Sequence, residues 1–83
     1  MAYLAKIHVT LRPSILDPQG KAVEHAIAML GVSTVRDVRM GKYIELKLDT
    51  ASESEARQKT EEVCRKLLAN PIMEDFTVDM QKL

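Results

Sequence analysis

Tyr3-Leu4-Ala5-Lys6-Ile7-His8-Val9-Thr10-Leu11-Arg12 is the stretch that decides the fold. Its apolar side chains fall on the odd positions, Tyr3, Ala5, Ile7, Val9 and Leu11, with Lys6, His8, Thr10 and Arg12 between them. A period of two is that of a strand buried on one face. Pro13, which has no amide to donate to a ladder, marks its end. The same alternation returns late in the chain, where Phe76, Val78 and Met80 face in and Thr77, Asp79 and Gln81 face out, giving a closing strand.

Between these strands the period changes. Asp17-Pro18 predicts a helix start, because the carboxylate accepts from a free amide of the first turn and proline tolerates the first helical position. Ala22, Val23, Ala26, Ile27 and Leu30 mark its inward face, Lys21, Glu24 and His25 its wet one, and Gly31 its left-handed stop. A second helix is predicted from Ser52, whose pairing with Glu55 reads as a capping box. Its inward stripe is Ala56, Thr60, Val63, Cys64, Leu67 and Leu68, and it ends near Ala69, with Asn70 as a left-handed stop before Pro71.

From Val35 to Thr50 the chain is β-rich, and parity constrains its geometry. Val38 and Met40 share even parity with Ile44, Leu46 and Leu48. A two-residue turn at Gly41-Lys42 would set the apolar sides of the two arms against each other. Two solutions keep that side continuous: a hairpin with a three-residue loop at 41–43, or one long strand bent through Gly41. Either could present an edge to a second chain. The expected fold is α+β, an antiparallel sheet with two helices on one face, in the order β-α-β(β)-α-β. No linker divides the chain, so residues 1–83 are read as a single domain.

A chain of 83 residues buries only about three-fifths of its unfolded surface. Apolar residues make up 46% and aromatic residues 4%, so the core must be aliphatic, with the five methionines as fillers or as cover for a contact. Twelve basic residues balance twelve acidic ones, which disfavours binding to nucleic acid or to an anionic membrane. The single cysteine excludes an internal disulfide, and no cationic start with an apolar run suggests a signal peptide, so a cytoplasmic location is expected.

Catalytic patterns are absent. Cys64 lies on an apolar stripe, where a thiol acts as a small hydrophobe. His8 and His25 have neither metal-ligand spacing nor a matching nucleophile. Ser14, Ser33 and Ser52 read as turn or cap residues, Glu61-Glu62 as solvated charge, and Gly41-Lys42 as a turn lacking the glycine run of a phosphate loop. Leu4, Ile15, Leu16, Ile72, Met73 and Tyr43 fall outside the inward sets. Together they point to a homodimer or a partner surface.

Three runs carry a resemblance over nearly the whole chain: Leu16-Asp17-Pro18-Gln19-Gly20, Val38-Arg39-Met40-Gly41-Lys42-Tyr43 and Leu67-Leu68-Ala69-Asn70-Pro71-Ile72-Met73-Glu74-Asp75-Phe76. In order and spacing they resemble the PurS subunits of phosphoribosylformylglycinamidine synthase. Met73 and Phe76 depart from the usual valine or isoleucine and the common tyrosine, while keeping size and apolarity. The resemblance implies a non-catalytic assembly subunit of purine biosynthesis that dimerises and joins a large synthetase subunit to a glutaminase subunit. It implies no cofactor in this chain, with ATP, magnesium and glutamine used by the partner subunits. Gln19, Arg39, Lys42, Tyr43, Asn70, Glu74 and Asp75 are its candidate partner-binding residues. Arg39 and Lys42 stand out, because no turn or core in this reading requires them. Two alternatives belong to other classes. One is a small-molecule regulatory module; the other is an RNA-binding sheet, which three aromatic residues, two of inward parity, argue against.

Overall fold

The computed structural model describes residues 1–83 as three strands, β1 (Ala2–Leu11), β2 (Gly41–Asp49) and β3 (Glu74–Lys82), and two helices, α1 (Pro18–Met29) and α2 (Glu53–Val63). A π-helical turn, Cys64–Leu68, continues α2. The sheet is antiparallel in the order β2-β1-β3. The element order β-α-β-α-β and the α+β class agree with the sequence reading.

Central β1 places its odd residues against the apolar residues of both neighbours. Tyr3, Ala5 and Ile7 stand opposite Leu48, Leu46 and Ile44 of β2, and Ala5, Ile7 and Val9 opposite Met80, Val78 and Phe76 of β3. Tyr3, Ala5, Ile7 and Val9 are buried, as are Ala56, Thr60, Cys64 and Ala69, on or just after the helix that covers them. Their partners on β2 and β3 are only half-buried, because α2 is the one helix packed across the strands.

Both helices were expected on one face of the sheet, and the structure corrects this for α1. Helix α1 makes at most marginal contact with any strand, and of its residues only Gly20 is buried. Ala22 and Ala26 are exposed, Leu30 is 81% exposed, and Val23 and Ile27 are half-buried. The molecule measures 51 × 27 × 14 Å, with a radius of gyration of 16.3 Å. A globular chain of this length would have a radius near ~12 Å. A ten-residue strand spans about 33 Å, so the excess is of the length that a helix carried beyond the sheet would add.

The middle segment takes neither of the two expected forms. Gly41, Lys42 and Tyr43 pair with Thr10, Val9 and His8, so no three-residue hairpin loop forms there. The long strand bent through Gly41 does not form either, because β2 begins at Gly41 and residues 32–40 are neither helix nor strand. Gly41 is required by proximity: a Cβ there would lie 2.7 Å from the Val9 carbonyl oxygen.

Both helix ends also differ in detail. Gly31 is left-handed as expected, with φ 87°, but no residue other than glycine has positive φ, so Asn70 is not a left-handed stop. Instead its side-chain Oδ1 accepts from the amides of Ile72 (2.9 Å) and Met73 (3.3 Å), building the turn into β3. The π-helical turn explains the stripe of α2. The Ala69 amide donates to the Cys64 carbonyl at 2.9 Å, five residues back, so the buried positions run from Cys64 to Ala69 and Leu67 swings out to 79% exposure. At the other end the Ser52 hydroxyl accepts from the Glu55 amide at 3.2 Å, which forms one half of the expected capping box.

One buried polar atom has no partner, the Thr60 hydroxyl. An unsatisfied buried hydroxyl costs about 1–3 kcal/mol. Thr60→Val, which keeps the branched shape, is therefore expected to raise stability by about 1 kcal/mol, measured as a higher urea midpoint with an unchanged slope.

Candidate functional site

The polar residues singled out in the sequence gather at one end of the sheet, where β1 leaves and β2 and β3 enter. Asp17 is the centre. Its position before Pro18 makes it the N-cap of α1, and its Oδ1 accepts from the Gly20 amide at 3.0 Å. Its Oδ2 accepts from the Met40 amide at 2.7 Å, 23 residues later in the chain. The residue is 3% exposed. These backbone bonds, that of Met40 foremost and that of Gly20 next, hold the carboxyl below the usual range, and the Arg39 charge adds to them.

Arg39 lies beside it. Its guanidinium Nη2 donates to the carbonyls of Arg12 and Ile15, each at 2.9 Å, and so braces the loop between β1 and α1. Arg12 in turn donates from Nη2 to the Pro71 carbonyl at 2.6 Å and from Nε toward Asp75 Oδ1 at 3.3 Å. The loop before β3 is thereby tied to the end of β1.

Lys42 enters from β2. Its Nζ donates to the Leu68 carbonyl at 3.3 Å, a favourable place for a cation at a helix C-terminus, and lies 3.6 Å from Glu74 Oε2. Glu74 Oε1 accepts from the Asn70 amide at 2.7 Å. Gln19 lines a small crevice of about 170 Å³ together with Asp17, Met40, Lys42 and Glu74.

Six of the seven candidate residues, Gln19, Arg39, Lys42, Asn70, Glu74 and Asp75, therefore share this end. Tyr43 does not. It lies opposite His8, on the face away from Lys42 and Glu74, and its contacts are separate from theirs: its hydroxyl donates to Glu45 Oε2 at 2.9 Å and its ring lies 4.9 Å from that of His8. Arg39 and Lys42 were singled out because no turn or core called for them, yet both brace loops within the chain. Arg12 and the bond from Asp17 to Met40 were missed. Alternation marked Arg12 only as outward-facing, and nothing in the sequence signals a contact between residues 17 and 40.

Exposed apolar side chains adjoin this junction. Leu16 is 70% and Ile72 78% exposed, and Met73 is partly exposed. Cys64 is fully buried, and burial pushes its thiol up, with the charge of Glu61 adding to the effect. No three His, Cys, Asp or Glu side chains are grouped so as to hold a metal ion. No helix is long and apolar enough to cross a membrane. The arrangement defines a small α+β subunit whose polar groups brace its own loops and whose apolar groups face outward.

Residues 4–82 match the family profile PurS, described as phosphoribosylformylglycinamidine (FGAM) synthase. Among curated relatives, the subunit PurS of Synechocystis is 44% identical over 99% of this chain and 82% of its own length. That of Bacillus subtilis is 41% identical over 98% of this chain and 95% of its own. A solved structure of B. subtilis PurS superposes with a TM-score of 0.88, covering 96% of this chain and 99% of that one. A chain of the structure described as PurLQS from Thermotoga maritima superposes at 0.90, with 26% identity over 98% of this chain and 99% of that one. The chain belongs to the PurS family, the small subunits of FGAM synthase in purine biosynthesis.

The Asp17 carboxyl gives this junction an acid dependence. Because the folded group releases its proton more readily than the unfolded one, its contribution to stability is complete above the ordinary value of about 4. It fades as the pH falls through the lower folded value. Urea midpoints measured from about pH 6 down to about pH 2 should therefore fall, and should fall less steeply in Asp17→Asn than in the wild-type chain.

Proposed function

We propose that residues 1–83 act as one domain, the non-catalytic assembly subunit of the glutamine- and ATP-dependent FGAM synthase complex in the cytoplasm. In this reading the chain bridges a large synthetase subunit and a glutaminase subunit. Those subunits use ATP, magnesium and glutamine, while this one supplies shape and surface. The observation that carries it is the likeness, over 98% of the chain, to a component of the T. maritima structure described as PurLQS.

Pairing with a second copy accounts for the apolar surface that the chain leaves open. Helix α1 and the segment after it expose Ala22, Ala26, Met29, Leu30, Val32 and Val35. The sheet leaves the β2 and β3 sides of its apolar face half-covered. An apolar arm on one copy and an apolar strip on the other are complementary, and both outer strands have a free edge. A homodimer of this kind would bury what one chain alone cannot.

The larger subunits would then meet the end of the sheet where Gln19, Arg39, Lys42, Asn70, Glu74 and Asp75 lie, with Leu16 and Ile72 as apolar anchors and Tyr43 on a separate face. Arg39 and Lys42 also brace this chain, so changing them would confound folding with binding. Ile72 is a cleaner probe, being 78% exposed.

Two outcomes are expected. Mixing the chain with synthetase and glutaminase subunits should restore glutamine-dependent amidine formation, and activity that is the same without it would reject the proposal. Ile72→Asp should weaken copurification with those subunits by about tenfold or more in apparent affinity, while leaving the circular dichroism spectrum and the melting temperature of the isolated chain unchanged.

A further inference from the structure

Helix α1 has twelve residues, makes at most marginal contact with any strand and buries only Gly20 at its start, so burial does little to set its direction. The chain turns back at Gly31, where φ is 87°, and returns through residues 32–40 to enter β2 at Gly41. The excursion is thus an arm with an outgoing leg, α1, and a returning leg. Both legs are tied at the shoulder by one side chain. Asp17 Oδ1 holds the outgoing leg at the Gly20 amide (3.0 Å), and Oδ2 holds the returning leg at the Met40 amide (2.7 Å).

Capping a helix needs only the first of these bonds. The second joins the legs and contributes nothing to the cap. Two neighbouring contacts reinforce it. Gly20 lies so close to the Val38 carbonyl that a Cβ could not be placed between them, and Arg39 anchors the returning leg to the Arg12 and Ile15 carbonyls at 2.9 Å each. The Asp17 side chain at the centre of the joint is itself almost closed to water, at 3% exposure.

We propose that this joint sets the angle of the arm before a second copy arrives, making Asp17 a positioning residue for self-association as well as a helix cap. The inference rests on the pairing proposed above and names what controls it. An arm held in place loses less freedom on capture than a loose one, and the difference appears as affinity.

Asp17→Asn separates the two roles. Asparagine caps a helix as well as aspartate does, but its amide group in the place of Oδ2 has no lone pair for the Met40 N–H. Gly20→Ala disturbs the same joint by bulk rather than by chemistry, because its Cβ would meet the Val38 carbonyl oxygen and would press on the Asp17 carboxylate, 2.7 Å from Oδ2. Each full-length variant would be compared with the wild-type chain for its dimer dissociation constant by sedimentation. Amide exchange at residues 38–40 and helix content would be followed in parallel. In both variants the dissociation constant should rise by about tenfold, with faster exchange at 38–40 and preserved helix content. Faster exchange with an unmoved constant would overturn the proposal, as would an unmoved exchange rate in both variants. A wild-type chain that stays monomeric over the same concentrations would sink the pairing itself, and the proposal with it.

Discussion

One helix lies across three strands, and most of the structure follows from that mismatch. Adjacent strands are about 4.8 Å apart and a helix with its side chains is about 10 Å across, so α2 shields the central strand and little more. Ile7 and Val9 of β1 are fully buried, whereas Ile44 and Val78, on either side of Ile7, are only half-covered. The other helix, which could have closed the gap, is carried away from the sheet. The fold is well covered at its middle strand and open at both flanks.

The polar groups divide in a complementary way. Where the three strands meet the loops, Arg12, Asp17, Arg39, Lys42, Asn70 and Glu74 direct their hydrogen bonds at backbone carbonyls and amides, which are obligatory partners in an irregular segment. Exposed ion pairs are worth little, and the three between side chains along the helices, such as Lys66 with Glu62, do not shape the fold. The side-chain-to-backbone bonds do, because each fixes a loop that has no regular partner.

The strands and helix starts were legible in the sequence, for a local reason. Alternation in β1 and β3, the Asp17-Pro18 and Ser52 caps and the Gly31 stop are set by neighbours within a few residues, and all stand as read. The errors lie where a distant or collective effect decides. The periodic apolar face of α1 shows that something covers it, but not that the covering surface belongs to the same molecule. Leu67 was read as inward because the α-helical period was carried through Cys64–Leu68, where one extra residue per turn shifts the phase. Asn70 was given a left-handed backbone, yet its side chain provides the turn from an ordinary conformation. For the candidate site, the motifs named seven residues without placing them, and six come together at one end only through contacts between segments far apart in the chain.

The register of β1 carries a consequence for how the chain acquires its shape. Tyr3 pairs with Lys82, and the amide of Leu83 donates to the Ala2 carbonyl at 2.9 Å, so the first strand to be synthesised is completed by the last. Sheets closed over such long separations form slowly, because the entropy of closing the loop must be overcome before any pairing is gained. Until β3 emerges, the most apolar strand has only one neighbour. A nascent chain in that condition is open to mispairing with its siblings along the uncovered edge of β1. The charged residues Lys6 and Arg12, set among the apolar ones, are placed to discourage such contacts while it waits.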